Sequence, residues 1–200
     1  MNHSFYSPGN SGLYMSIILR PKLSVEYSLM ITSCVAVAVA EAIEKVTGLK
    51  TEIKWVNDIY VNGKKLCGIL TEAAIDIENG GLDYAIPGIG VNVSNDSFPK
   101  ELENIATSIY LETGKIFSRS LLIAEILNCL EVRLEQITDK GFIDEYRRRS
   151  NLIGHRISIK KNDVTEYAQC TGIDEFGRLL VTTDSGEEKQ LNSGEGLLAE

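Results

Sequence analysis

The chain has 200 residues, of which 44% are hydrophobic and 24% are charged, and its formal net charge is −8 at pH 7. This composition can form a buried core and excludes a disordered or low-complexity chain, while the length allows one full domain and a small second one. The acidic balance argues against nucleic acid or an anionic membrane as the main partner.

The cysteines and the N-terminus indicate the compartment. No C-x-x-C pair and no signal peptide is visible, so the thiols are expected to be reduced. The longest apolar stretch, 29–40, is shorter than the roughly 20 residues that span a bilayer. We therefore expect a cytoplasmic protein without a membrane partner. The four cysteines are Cys34, Cys67, Cys129 and Cys170.

Strand and helix patterns are mixed over residues 1–150. A loop rich in Ser, Pro and Gly comes first, and an alanine-rich segment between a cap at Ser24 and a stop at Gly48 predicts a buried helix. Asn62-Gly63 predicts a hairpin turn. Strands are predicted over 13–19, 51–55, 59–61, 66–74 and 82–86, and helices over 102–111, 118–137 and 142–149. The predicted fold class is α+β, with a mixed sheet and flanking helices.

Short strands replace this pattern after residue 150. They are predicted over 156–160, 166–173, 179–183 and 188–191, with polar turns between them. This spacing is typical of a small β-barrel. Two domains are therefore predicted, at 1–150 and 151–200.

The segment 54–70 combines lysines, an amide and a carboxylate around one hairpin. Strand alternation places Lys65, Cys67 and Ile69 on one face and Leu66 on the other. A glycine within the strand, Gly68, indicates that a ligand or another backbone comes close. From spacing alone, an exposed hairpin with solvated lysines is the alternative.

Two further clusters are less specific. The segment Pro87–Val93 holds a G-x-G pattern with Asn92 beside it, which fits either a phosphate or sugar contact or a glycine-rich strand end. Three consecutive arginines, 147–149, are most simply a solvated helix face. His155 is isolated in the sequence, so no metal cluster is predicted around it.

Taken together, these residues resemble the biotin–protein ligase family. Five motifs in the family's order carry the resemblance. They are K-W-x-N-D at 54–58, with Val56 in place of the usual proline, K-x-x-G-I-L at 65–70, G-x-G-x-N at 88–92, A-T-S at 106–108, and a tail at 170–195 like the family's SH3-like C-terminal domain. The segments 6–8 and 12–16 look like the stretch after the family's nucleotide loop.

The resemblance implies a class II synthetase-like catalytic domain and an ATP-dependent ligase. Such an enzyme joins biotin to AMP and passes the biotinyl group to a lysine of a biotin carboxyl carrier domain, as a biotin–[acetyl-CoA-carboxylase] ligase does. ATP and biotin would be substrates, with Mg²⁺ as the metal. The carrier domain of a carboxylase is the implied partner, and pairing with a second copy of the chain is left open.

The resemblance also implies the site residues. Lys65 and Asp58 would be catalytic, and Asp58 would also be a Mg²⁺ ligand. Biotin and ATP would be bound by Lys54, Asn57, Lys65, Gly68 and Asn92.

One departure concerns the start of the chain. Met1 stands where the end of the family's glycine-arginine loop is expected, and Ala199 stands where some members carry an arginine. We therefore expect a catalytic domain that lacks its N-terminal part and has impaired ligase activity. Two alternatives are a non-catalytic regulatory or binding remnant of such a ligase and a lipoate–protein ligase.

Overall fold

The chain forms two five-stranded sheets and five helices in a computed structural model, which describes residues 6–76, 78, 80–161, 164–192 and 195–198. The first sheet has the order β1-β5-β4-β3-β2 and the second β10-β6-β7-β8-β9. The strands are β1 (Gly12–Ser16), β2 (Glu52–Lys54), β3 (Asp58–Val61), β4 (Lys64–Asp76), β5 (Gly81–Asn92), β6 (Arg156–Lys161), β7 (Val164–Ile173), β8 (Leu179–Thr183), β9 (Glu188–Leu191) and β10 (Glu195–Leu198). The helices are α1 (Val25–Ser28), α2 (Ile31–Thr47), α3 (Ile109–Thr113), α4 (Arg119–Glu135) and α5 (Ile143–Arg149).

The α+β class is confirmed, but the first sheet is antiparallel in its strand pairs rather than mixed. Short turns join β2 to β5 in succession, and a short turn allows only antiparallel pairing. The turn at Asn62 and Gly63 is the predicted hairpin, with φ angles of 50° and 76°. Parallel pairing among the described residues is confined to isolated bridges such as Lys65 with Ala106.

The buried helix is confirmed as α2, which packs between the first sheet and α4. The helix ends at Gly48, whose φ of 77° is the left-handed conformation that glycine adopts without strain. The predicted start differs. A separate turn of helix, α1, follows Ser24, which has extended backbone angles but no side-chain capping bond.

Two predicted boundaries near the candidate residues are wrong. The strand predicted to end at residue 86 continues to Asn92, so the G-x-G pattern lies inside β5, paired with β1 and β4 on either side. The helix predicted over 102–111 is present only as α3. The backbone of 105–107 bonds instead to Lys65, through Lys65 N–H to Ile105 O at 2.8 Å and Thr107 N–H to Lys65 O at 2.9 Å.

The second sheet contains the predicted strands, and β10 is an additional strand that pairs with β6. The end of the family-like tail, at Ser193 and Gly194, and the position of Ala199 lie outside the described residues. The division at 150/151 remains a prediction.

The structure also describes the four cysteines and the lengths of the helices. All four cysteines are free and buried. Burial raises the pKa of the Cys34 thiol to about 12, so this thiol is protonated at neutral pH. Among the described helices, none has the length and apolar character needed to cross a bilayer.

Candidate active site

One row of residues crosses all five strands of the first sheet. In register order it runs Tyr14, Gly90, Gly68, Asp58 and Lys54. Partners in an antiparallel sheet share a face, so these side chains lie on the face opposite the one that α2 covers, called here the open face. The two glycines at its centre leave a strip without side chains, where a ligand can lie close to the backbone.

Lys65 reaches the open face through a β-bulge, which corrects the predicted alternation. Tyr60 pairs with Lys65 while Ile59 pairs with Cys67, so Leu66 is the extra residue of the bulge. The bulge places Lys65 on the face of Tyr60, and Cys67 points into the core. Leu66 and Cys67 are both fully buried. A strict period of two could not have predicted this change of face.

The Lys65 ammonium forms an ion pair with the Asp58 carboxylate. Lys65 Nζ lies 2.7 Å from Asp58 Oδ2, with 30% and 20% of the two side chains exposed. The exposed hairpin with solvated lysines is therefore excluded for Lys65. The site presents one positive and one negative group in a half-buried setting, where charges interact more strongly than in bulk water.

Asn92 lies at the end of β5 and is 3% exposed. Its Nδ2 donates to Thr107 O at 3.0 Å, and Thr107 N–H donates to Lys65 O, so one residue connects Asn92 to Lys65. Asn92 Oδ1 is a buried acceptor without a hydrogen-bond partner in the part of the chain that the structure describes. Because such an atom is costly to leave unpaired, it indicates a place for a donor from water or a ligand.

Asn57 fixes the loop before β3 to the next strand. Its Nδ2 donates to Ile69 O, and Ile69 N–H donates to Asn57 O at 3.1 Å. These bonds hold the start of β3, and with it Asp58, against β4. Asn57 thus has a structural role, and its contact with ATP or biotin remains a prediction.

The same loop is attached to two other elements. Trp55 Nε1 donates to Gly177 O in the turn between β7 and β8 at 2.9 Å, and Tyr146 Oη of α5 donates to Val56 O at 2.7 Å. The loop between Lys54 and Asp58 is therefore held from both domains predicted from the sequence.

Lys54 is the end of the open-face row and is only 9% exposed. Its Nζ lies 5.9 Å from the centroid of the Tyr60 ring, within the range of a cation–π contact. Within the described chain, no group of three or more His, Cys, Asp or Glu side chains could hold a metal ion. Asp58 offers a single carboxylate, which fits Mg²⁺ only if phosphates and water complete its ligands.

Tyr14 and Gly90 were not singled out as site residues from the sequence. Tyr14 is 45% exposed, and its ring leans over Gly12 at the edge of the strip. The G-x-G pattern pointed to Gly90, but only the register places it beside Gly68.

Comparison with known proteins adds independent findings. Residues 3–92 match the model of the biotin/lipoate A/B protein ligase family, and residues 152–195 match that of the biotin protein ligase C-terminal domain. The bifunctional ligase/repressor BirA of Bacillus spizizenii is 37% identical over 194 residues, which are 94% of this chain and 59% of the relative. A biotin–[acetyl-CoA-carboxylase] ligase of Mycobacterium tuberculosis is 32% identical over 165 residues, covering 80% of this chain and 56% of the relative.

Solved structures of a biotin protein ligase are also similar to this chain. The apo biotin protein ligase of Aquifex aeolicus superposes with a TM-score of 0.81 at 29% identity, over 95% of this chain and 83% of the other. The same ligase in complex with biotin and ATP gives a TM-score of 0.78 at 28% identity, over 95% and 79%. The chain spans about three fifths of the length of the BirA protein of Bacillus spizizenii. The two family models match in order at the two ends of one fold, and the chain therefore belongs to the biotin protein ligase family.

Proposed function

We propose that this chain carries the reaction site of a biotin–protein ligase, which forms biotinyl-5′-AMP from biotin and ATP and transfers the biotinyl group to a carrier lysine. The observation that carries the proposal is the Lys65–Asp58 pair beside the glycine strip of the open face. The likeness to a ligase structure that holds biotin and ATP supports it.

The first step brings two anions together. A biotin carboxylate oxygen attacks the α-phosphorus of ATP, the bond to the pyrophosphate oxygen breaks, and pyrophosphate leaves. A fixed positive charge at the reacting atoms lowers the barrier because it offsets the charge that gathers there. Lys65 is held by its backbone bonds to 105–107 and supplies that charge.

The second step needs a neutral amine. The carrier lysine has an ordinary pKa near 10.4 and is protonated at neutral pH. Asp58, once Lys65 turns to the substrates, accepts a proton from that ammonium. The amine nitrogen then attacks the acyl carbon, the bond to the phosphate oxygen of AMP breaks, and AMP leaves while the nitrogen loses its extra proton to solvent.

The remaining site residues bind and orient. Gly68 and its neighbour Gly90 admit the substrate to the backbone, and Asn92 offers its unpaired Oδ1 to a donor of the adenylate. Lys54 adds positive charge at the end of the row. Asp58 would hold Mg²⁺ together with oxygens of the bound phosphates, and the ion would then offset phosphate charge.

A pyrophosphate-release assay with biotin, ATP and MgCl₂ tests the proposal, followed by mass spectrometry of a biotin carboxyl carrier domain. Lys65→Ala should lower the release rate by about 100-fold. Lys64→Ala is the matched control, because the Lys64 ammonium bonds to Glu103 O away from the strip. Weak turnover agrees with the proposal, whereas no measurable turnover in the unmodified chain, or equal rates in both variants, would contradict it.

Two arms of the same assay address substrate and partner. Replacing biotin by lipoate should abolish turnover, whereas preferred use of lipoate would indicate a lipoate–protein ligase. The carrier domain of acetyl-CoA carboxylase should be modified at a single lysine. Sedimentation with and without biotin and ATP measures whether two copies pair.

A further inference from the structure

One carboxylate bonds two segments that meet beside Lys65. Glu112, in α3, accepts from Asn62 Nδ2 through Oε2 at 2.6 Å and from the Thr107 hydroxyl through Oε1 at 2.5 Å. Asn62 lies at the tip of the hairpin between β3 and β4, the two strands that bear Asp58 and Lys65. Both oxygens of Glu112 are therefore used to join this hairpin to the segment before α3.

Thr107 is the point at which this link reaches the site. The residue is 2% exposed. Its N–H donates to Lys65 O at 2.9 Å, and its carbonyl accepts from Asn92 Nδ2 at 3.0 Å. The Thr107 peptide groups thus set the spacing between Lys65 and Asn92, which lie on different strands. A shift of Thr107 would move one relative to the other.

We propose that Glu112 is a positioning residue for the adenylation site, acting through Thr107 on Lys65 and Asn92. This inference rests on the proposed function. Hydrogen bonds to a carboxylate are stronger than those between neutral groups, so Glu112 fixes Thr107 more firmly than its backbone bonds would alone. Displacement of a reacting group by about 1 Å can cost up to about 100-fold in rate.

Three variants separate position from charge. Glu112→Ala removes both bonds. Glu112→Gln keeps the acceptor for Thr107 and, with the Asn62 amide turned over, keeps the second bond as well. Thr107→Val removes only the hydroxyl bond at nearly constant volume. Glu131→Ala is the control, since Glu131 is an exposed carboxylate on α4.

Amide hydrogen exchange by NMR tests the positioning without any need for turnover. In Glu112→Ala and Thr107→Val the Lys65 and Thr107 amides should exchange at least about tenfold faster, because their pairing opens more often. Glu112→Gln and Glu131→Ala should exchange like the unmodified chain. Unchanged exchange in Glu112→Ala would overturn the inference, whatever the activity.

Kinetics of pyrophosphate release supply the second readout. We expect kcat to fall about tenfold in Glu112→Ala, with a smaller change in KM for biotin, and to return in Glu112→Gln. If Glu112→Ala lowers the melting temperature but not kcat, Glu112 has only a structural role and the inference is overturned. If the unmodified chain does not turn over, the proposed function fails, and hydrogen exchange alone decides the role of Glu112.

Discussion

The two faces of the first sheet are built in opposite ways from adjacent residues. The row next to the open-face row runs Leu13, Val91, Cys67, Ile59 and Ile53, each at most 3% exposed. These side chains belong to the same buried core as the residues of α2. The open-face row, one residue along each strand, carries glycines and charges instead.

This contrast separates stability from chemistry. The covered face supplies the apolar burial that holds the sheet together. The open face carries groups that stabilise a fold little by themselves, namely a half-buried ion pair and a strip without side chains. A substitution should therefore act on folding or on ligand binding according to its face, and neighbouring residues of one strand provide the test.

The largest effect is expected on the covered face of β5. Ile89→Ala should lower the free energy of unfolding by about 2–5 kcal/mol, because a buried side chain that is 2% exposed leaves a cavity. Urea denaturation measures the loss. Biotin affinity by calorimetry, at a temperature where the variant stays folded, should change little. A large loss of biotin affinity in the folded Ile89→Ala variant would contradict the assignment of stability to the covered face and ligand binding to the open face.

Gly90, the next residue of β5, lies on the open face, so a substitution there should affect ligand binding more than stability. Gly90→Val fills the strip and should weaken biotin binding by about 1–3 kcal/mol, roughly 5- to 150-fold. Gly172→Ala in the second sheet is the control, because a Cβ there would meet only Leu180 Cδ1, at an ordinary 3.8 Å. If calorimetry shows the same biotin affinity in Gly90→Val as in the unmodified chain, the glycine strip is not part of the biotin site.

A smaller effect tests whether the second sheet supports the open face. Trp55→Phe removes the bond to Gly177 O and should cost about 1 kcal/mol of stability. The turnover number should fall as well, since the loop before Asp58 loses one of its anchors. Melting temperature and pyrophosphate release measure the two quantities. A variant that loses stability but keeps its turnover number would show that the second sheet does not support the site.

The last effect is an acid dependence that comes from Glu145 in α5 and not from the open face. The hydrogen bond from Arg148, aided by the charges of Arg149 and Arg148 and opposed by burial, lowers the pKa of the Glu145 carboxyl to about 2. Because the folded-state pKa is lowered, this stabilisation is present above the ordinary value near 4.3 and is lost as the pH falls toward about 2.

Glu145→Gln should therefore flatten the decline of stability between about pH 4.5 and 2. Urea unfolding across that range measures the slope. Asp144→Asn is the control, because the Asp144 side chain is 93% exposed. An unchanged slope in Glu145→Gln would remove this carboxyl as a source of the acid dependence.

Local patterns were sufficient for elements that depend on neighbouring residues. Asn62-Gly63 adopts positive φ angles with little strain and so specifies its hairpin without help from the rest of the chain. The alanine-rich segment predicted α2, and Gly48 predicted its end. Lys65 and Asp58 were identified from motifs, and the structure brings the two together.

Arg149 shows where a local pattern was misleading. A run of three arginines suggests a solvated face, yet Arg149 is 5% exposed and bonds to Glu44, Thr51 and Glu145. Its partners Glu44 and Thr51 are distant in sequence. No rule on neighbouring residues could have distinguished it from Arg148, whose side chain is 64% exposed.

The sequence by itself determined the α+β class, the hairpin, the buried helix and the chemical groups available for the site. Tertiary structure decided which face those groups occupy. The bulge at Leu66 turns Lys65 toward Asp58, and pairing with β1 and β4 extends β5 through its glycines. Both depend on hydrogen bonds between segments far apart in the chain, and these bonds leave no periodic signal in the residues that form them.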